Sequence, residues 1–183
     1  MGQIQPALPS TESSKTLKAE ILAEIRRPAR GQGGLQGKRQ PSAAILTCVD
    51  ERVLPEVIFQ CEPGRLYCVR LAGHVVTPEV VGSLEIATAL GCRLVFVLGH
   101  TDCGAVRLER AHTGDHFAVV QHIRWATRAL PWRASLDQAI EENVRHAVTE
   151  LRTRLRVRVE GGILNVLNHE VRFLEGDGKF KGG

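Results

Sequence analysis

Runs of consecutive apolar residues alternate with helix-like patterns from Ala43 onward, and this alternation is the main structural signal in the sequence. Four runs predict buried strands, at residues 43–48, 66–71, 93–98 and 163–167. A shorter run, Val171–Leu174, suits an edge strand. Because the runs are continuous rather than alternating, they favour parallel strands covered by helices on both faces.

Helical signals fall between these strands. Thr77 is a favourable N-cap with Pro78 at the first helical position, and Gly91 can end that helix. Ser135 and Gln138 form a capping box for a long helix that runs to about residue 155. Three shorter helices are expected at residues 55–59, directly after residue 103, and near residues 116–130.

Alternation of strands and helices predicts an α/β fold with a mainly parallel central sheet, right-handed crossovers and a 2-1-3-4 type strand order. Leu17, Ile21, Leu22 and Ile25 are spaced as one face of an N-terminal helix. We therefore divide the chain into an arm and basic, glycine-rich linker (1–40), an α/β domain (41–176) and a flexible tail (177–183).

Composition and charge exclude several kinds of function for this chain. With 183 residues, 43% apolar and 24% charged, the chain suits one globular domain. The net charge of +4 is spread out and aromatic residues make up only 4%, so we expect no nucleic-acid partner. We find neither a membrane span nor a secretory leader, and expect a cytoplasmic protein without membrane association. Its cysteines are then core residues, metal ligands or nucleophiles rather than disulfides.

Chemically reactive residues follow two of the predicted strands. Cys48, Asp50 and Arg52 follow the first strand in CVDER, and His100 and Cys103 follow the third in GHTDCG. A 2-1-3 strand order brings these two carboxyl ends together. Two thiolates and one imidazole suit Zn²⁺, and three firm protein ligands leave the open position of a catalytic zinc. Such a zinc lowers the pKa of a bound water, which yields hydroxide near neutral pH.

The role of Asp50 stays open between two states. It either binds the metal as a fourth ligand and closes the site, or pairs with Arg52 and accepts a hydrogen bond from the metal-bound hydroxide. Gly104 would let the backbone approach the metal site closely. Asp102 is interpreted as a loop or outer-shell residue, and His74 mainly as a surface residue. Three other cysteines are expected to be structural: Cys61, Cys68 and Cys92.

On these motifs the chain resembles the β-carbonic anhydrases. The close match covers about residues 43–106 and includes CVDERVLPEVIF, PGRLYCVRLAGHVVTPEVVGSLEIA and LVFVLGHTDCGAV. Looser similarity extends to ENV near Glu142 and to GGILNVLNHEVRFLEG. The resemblance implies reversible hydration of carbon dioxide to bicarbonate and a proton. It also implies a dimer or higher oligomer in which the N-terminal arm packs on the neighbouring subunit.

The resemblance also assigns roles to single residues. It implies that Cys48, His100 and Cys103 bind zinc and that Asp50 and Arg52 form the gating pair. A second set is implied to line the substrate pocket: Val53, Phe59, Gln40 and Gly104. Gln40 stands one residue away from the usual position of a substrate-binding glutamine, which Arg39 occupies here.

Two alternatives remain. The same metal chemistry would serve a carbonyl sulfide or carbon disulfide hydrolase. The second alternative is a catalytically silent, zinc-stabilised scaffold protein. The intact pair of Asp50 and Arg52 argues against it, because a purely structural zinc site does not need that pair. A redox thiol protein is disfavoured because the cysteine of the GHTDCG motif has no CxxC partner.

Overall fold

A five-stranded sheet forms the centre of the fold. The computed structural model describes residues 11–27 and 41–175, so the predicted linker with Gln40 and the predicted tail lie outside the described residues. The strands are β1 (Ala43–Thr47), β2 (Leu66–Arg70), β3 (Leu94–His100), β4 (Arg158–Leu164) and β5 (Val171–Leu174). Their order is β2-β1-β3-β4-β5, and only the β4–β5 pairing is antiparallel. The predicted α/β class and the 2-1-3-4 order are confirmed.

Helices pack on both faces of the sheet. They are α1 (Thr11–Ile25), α2 (Pro55–Ile58), α3 (Pro78–Ala89), α4 (Gly104–Arg110), α5 (Ala118–Thr127) and α6 (Leu136–Arg154), with a 3₁₀ turn at Ala72–His74. The predicted caps are present. Thr77 Oγ1 accepts from the Val80 amide, and Ser135 and Gln138 exchange both bonds of a capping box. None of the described helices has the length and apolar character needed to cross a bilayer.

Successive residues of each strand enter two different cores, because side chains alternate between the faces of a sheet. Ala44 and Leu46 of β1 belong to a cluster with α3, α4, α5 and α6. Ala43 and Ile45 belong to a cluster on the opposite face with α1 and Phe59. All five residues of β1 are buried, which explains its continuous apolar run.

The arm helix α1 packs on this chain's own sheet. Ile21 and Ile25 are fully buried in the second cluster, and the Ser42 hydroxyl donates to the Ile25 carbonyl at 2.5 Å. These contacts agree with the predicted apolar face of the helix. Packing of the arm on a neighbouring subunit stays a prediction.

The fourth strand is the main correction to the predicted elements. It was expected at 163–167, but β4 begins at Arg158 and ends at Leu164. Glu160 is buried and joined to Arg152 and Arg158 by ion pairs of 3.0 Å each. These ion pairs offset the cost of burying a charge inside a strand. Without them, a glutamate in the sequence argues against a buried strand.

Candidate metal centre

The reactive residues meet at the carboxyl ends of β1 and β3. Cys48 follows β1, His100 is the last residue of β3, and Cys103 immediately precedes α4. The two strands are parallel neighbours, with Thr47 opposite Leu98. The Thr47 hydroxyl donates to the Leu98 carbonyl at 2.7 Å, which ties the strand ends together across 51 residues of chain.

The donor atoms of Cys48, His100 and Cys103 lie within 4.8 Å of one another. All three residues are buried, with exposed fractions of 4%, 0% and 0%. His100 Nδ1 lies 3.0 Å from the Thr101 carbonyl oxygen, so this nitrogen is the donor and Nε2 carries the lone pair. Nε2 is buried and has no hydrogen-bond partner among the described residues. A buried imidazole lone pair beside two sulfurs is a donor set that fits a metal ion.

The two thiols influence each other strongly. The hydrogen bond from Cys103 lowers the pKa of Cys48, and hydrogen bonds from backbone amides, including that of Gly73, act in the same direction. The bond to Cys48 raises the pKa of Cys103, and burial raises it further. The first thiolate therefore forms readily, whereas the second requires a compensating positive charge. A divalent cation bound between the sulfurs supplies that charge.

Asp50 and Arg52 form a two-pronged ion pair at the rim of this cluster. Arg52 Nη2 lies 2.7 Å from Asp50 Oδ2, and Arg52 Nε lies 2.9 Å from Asp50 Oδ1. The hydrogen bond from the Arg52 guanidinium lowers the pKa of Asp50 to about 2. Asp50 Oδ2 lies 3.9 Å from His100 Nε2. An ionised carboxylate thus stands beside the candidate metal-binding nitrogen while Arg52 occupies both of its oxygens.

Asp102 is a second anchor for Arg52. Arg52 Nη1 lies 3.2 Å from Asp102 Oδ2, and Arg107 from α4 also pairs with Asp102. The hydrogen bond from Arg107 lowers the pKa of Asp102, followed by that from Arg52. Of the two expected roles of Asp102, loop or outer-shell residue, the contact with Arg52 supports the second. Its position between His100 and Cys103 in GHTDCG was the available signal.

Arg70, at the end of β2, was missed by the sequence reasoning. Its Nη2 donates to the Asp50 carbonyl at 2.7 Å and its Nε donates to the Cys48 carbonyl at 3.2 Å. These bonds fix the main chain that carries both Cys48 and Asp50. The adjacent pairing of β1 and β2, with Thr47 opposite Arg70, was the signal that could have found it.

The predicted pocket residues lie in different environments. Val53 is fully buried in the second core cluster. Phe59 is 1% exposed and lines a cavity of about 660 Å³ together with Thr101. At Gly104, an added Cβ would meet no atom within 4 Å, so the protein's own packing does not require a glycine there. Contact of these residues with substrate stays a prediction, and Gln40 lies outside the described residues.

His74 does not lie on the surface as expected. It is 1% exposed, and its Nε2 lies 3.1 Å from Nδ2 of Asn143 on α6. Burial lowers the pKa of His74 to about 4, so the ring is neutral at neutral pH. Asn143 also bonds the neighbouring Gly73 carbonyl at 2.8 Å. Asn143 belongs to the run ENV noted in the sequence. Nothing in that run predicts a contact with the turn at residues 72–74.

The remaining cysteines lie elsewhere. Cys92 Sγ lies 3.6 Å from the Pro41 carbonyl, and Cys68 Sγ lies 3.6 Å from the Glu56 carboxylate. Burial raises the pKa values of Cys92 and Cys68 to about 11 and about 12. Thiols protonated at neutral pH are poor nucleophiles, and neither of these two belongs to the group of metal-ligating side chains found among the described residues.

Comparison with known proteins identifies the family. The model of the carbonic anhydrase family matches residues 43–176. Carbonic anhydrase 2 of Mycobacterium tuberculosis is 44% identical over 85 residues, which are 46% of this chain and 41% of that protein. The alignment therefore spans under half the length of that relative. A carbonic anhydrase of Pseudomonas aeruginosa is 35% identical over 161 residues, covering 76% of this chain and 73% of the relative.

Two further comparisons concern chemistry and fold. A carbon disulfide hydrolase of Saccharolobus solfataricus is 39% identical over 75 residues, covering 40% of this chain and 35% of that enzyme. The solved structure of the β-carbonic anhydrase CcaA has the same fold, with a TM-score of 0.63 and 21% identity over 93% of this chain and 87% of that one. The family match covers most of the sequence and the sheet is that of a solved β-class enzyme, so this chain belongs to the β-carbonic anhydrase family.

Proposed function

We propose that this chain catalyses the reversible hydration of carbon dioxide to bicarbonate and a proton, with a zinc ion held by Cys48, His100 and Cys103. The observation that carries the proposal is the buried cluster of two sulfurs and an imidazole, all within 4.8 Å, in which His100 Nε2 lacks any other described partner. Three protein donors leave one coordination position for a reactant, which is the pattern of catalytic zinc.

Zinc is the metal that this donor set favours. Thiolates are soft ligands, and they discriminate against magnesium and calcium, which prefer oxygen. Bound zinc supplies an activated water at neutral pH because the metal lowers that water's pKa. The protein's contribution is to bury the ligands and to fix their geometry through Gly73, Thr101 and Arg70.

Asp50 and Arg52 act on the reacting groups rather than on the fold. The Asp50 carboxylate, held ionised by Arg52, accepts a hydrogen bond from the attacking water and orients it toward carbon dioxide. The same carboxylate is the candidate fourth metal ligand in a closed state. Its pairing with Arg52 through both oxygens favours the open arrangement, because a ligating oxygen would have to leave the guanidinium.

Carbon disulfide or carbonyl sulfide hydrolysis is the second candidate function. It is supported by the 39% identity of a 75-residue segment to a carbon disulfide hydrolase. All three substrates are linear and uncharged with an electrophilic carbon, so the residues proposed for carbon dioxide could also serve the sulfur compounds. The surroundings of the site, rather than the metal ligands, would decide between them.

We also propose that the chain associates with a second copy. Three large apolar residues near the site are exposed: Val49 (54%), Leu54 (47%) and Val57 (69%). The neighbouring strand β2 is an outer strand of the sheet and pairs only with β1 among the described strands. A second copy that covers this region would bury both the apolar side chains and the free strand edge.

The deciding experiment combines metal analysis with kinetics on the purified chain. Zinc at about one ion per chain and rapid carbon dioxide hydration in stopped-flow assays would support the first function, whereas turnover of carbon disulfide alone would support the second. Zinc without turnover of any substrate would instead favour a silent scaffold. Cys103→Ser should lose the metal, while Cys68→Ser, outside the cluster, should retain both zinc and activity. Equal zinc content in the two variants would overturn the assignment of the ligands.

A further inference from the structure

A strained turn lies between β2 and α3, directly beside the metal cluster. In the turn Ala72–His74, Gly73 has φ +63° and His74 has φ +45°. A non-glycine residue in the left-handed region is unfavourable and persists only where its surroundings fix it. A Cβ built on Gly73 would come within 2.6 Å of Ile123, so the turn is also closely packed against α5.

This turn makes a direct contact with a candidate metal ligand. The Gly73 amide donates to Cys48 Sγ at 3.3 Å, and the bond is buried. An N–H group aimed at a ligating sulfur withdraws negative charge from it. The metal then receives less charge from the thiolate and acts as a stronger Lewis acid.

Asn143, 70 residues further along the chain, holds the turn in place. Its Nδ2 donates one hydrogen to the Gly73 carbonyl at 2.8 Å and directs the other to His74 Nε2 at 3.1 Å. The lowered pKa of the buried His74 keeps its ring neutral, so Nε2 can accept this bond. Asn143 is itself 3% exposed, and no bulk water competes for these contacts.

We propose that Asn143 is a positioning residue of the metal centre: it fixes the 72–74 turn so that the Gly73 amide stays bonded to the Cys48 sulfur. Asn143 does not contact the reacting atoms in this role. It acts through the main chain of Gly73, with His74 as the second point of attachment. The inference rests on the proposed metal site and adds a tuning residue on α6 to it.

The test uses cobalt-substituted and zinc-loaded full chain. In Asn143→Ala, release of the turn should weaken the N–H···S bond, so the thiolate-to-cobalt charge-transfer band should move to longer wavelength. Because the freed turn no longer holds Cys48 in its ligating position, zinc affinity, measured by competition with a chelator, should fall about 10-fold or more. Val148→Ala is the matched control, because it also truncates a buried side chain of α6 but contacts β4 instead of the turn. It should leave the band and the affinity unchanged.

A second variant keeps the test decisive if Asn143→Ala does not fold. His74→Asn retains a residue that tolerates positive φ, but its shorter side chain does not reach the position of Nε2. One Asn143 bond is then lost, and a smaller shift in the same direction is expected. An unchanged band and affinity in the folded variant, or equal changes in Val148→Ala, would overturn the positioning role. Wild-type protein that binds neither cobalt nor zinc would instead overturn the proposed function itself.

Discussion

The Arg52 guanidinium binds both oxygens of the Asp50 carboxylate: Nη2 lies 2.7 Å from Oδ2 and Nε lies 2.9 Å from Oδ1. The main-chain amide of Arg52 also donates to Asp50 Oδ1 at 3.0 Å. Three donors from one residue thus fix a carboxylate that follows Cys48 closely in the chain. Asp102 and Arg107 extend the network on the other side of the guanidinium. The charge and direction of Asp50 are therefore set before any substrate arrives.

Replacing Asp50 with Asn should separate catalysis from metal binding. The amide keeps the shape of the side chain but loses the negative charge and one acceptor, so we expect carbon dioxide hydration to fall by about 10²-fold or more. Zinc content should stay near that of the wild type, because Cys48, His100 and Cys103 remain. Stopped-flow kinetics and metal analysis of the same preparation check both statements.

Asp115→Asn is a suitable control, since it removes an exposed carboxylate that pairs with Arg124 elsewhere on the surface. It should leave turnover unchanged. Loss of zinc from Asp50→Asn would show that Asp50 is a metal ligand in the resting protein. Full turnover in that variant would remove Asp50 from the mechanism.

Gly104 offers a test of where substrate sits. A Cβ at this position meets no atom within 4 Å, and alanine favours a helix more than glycine does. Gly104→Ala should therefore fold with a melting temperature equal to or slightly above that of the wild type. If the space beside Gly104 receives substrate, kcat/KM should fall while zinc content is unchanged. Wild-type kcat/KM would show that the space is outside the substrate's path.

The meeting of Cys48, His100 and Cys103 was predictable because it depends mainly on strand order. Cys48 and His100 each lie at the end of a strongly apolar strand, and adjacent parallel strands bring their carboxyl ends together whatever the packing details. Asp50 and Arg52 were found for a similar reason, since they lie two residues apart. Local spacing carried that information.

Contacts between distant segments were not predictable in the same way. Asn143 contacts Gly73 because of where α6 packs along one face of the sheet. The hydrophobic pattern of a helix predicts which of its faces is buried, but not which residues of a distant segment that face contacts. Burial of His74 follows from the same crossing. The start of β4 was not predicted because Glu160 and two glycines are unfavourable in a buried strand. Ion pairs with Arg152 and Arg158 stabilise Glu160 there, and these contacts are not visible in the sequence.

Glu141 should contribute stability that depends on pH. It pairs with Arg145 on α6 and with Arg172 on β5, each at 2.8 Å. Burial would raise the pKa of Glu141, but hydrogen bonds from both arginines outweigh it and lower the pKa below the ordinary 4.5. A depressed carboxyl pKa stabilises the fold above the unfolded-state value, and this stabilisation is lost as pH falls through the folded-state value.

Glu141→Gln should therefore lower the free energy of unfolding at pH 7 by up to about 1 kcal/mol, and the difference from wild type should shrink as pH falls below about 4.5. Urea titrations at several pH values measure it. Glu142→Gln makes the same charge change one residue away, without an ion pair among the described residues, and should show little effect. A pH-independent difference for Glu141→Gln would refute the electrostatic explanation.

Gly161 of β4 marks a place where α6 lies close to the sheet. A Cβ there would come within 2.8 Å of Val148 and 2.9 Å of Val144, so Gly161→Ala should cost about 1–3 kcal/mol of folding free energy. Combining it with Val148→Ala should cost less than the sum of the single changes, because the truncated valine makes room.

Gly82→Ala, inside α3 with no atom within 4 Å of the new Cβ, should instead stabilise by about 0.5–1 kcal/mol. Denaturant unfolding of the four variants measures these effects, and strict additivity at positions 161 and 148 would mean that helix and strand are not in contact there.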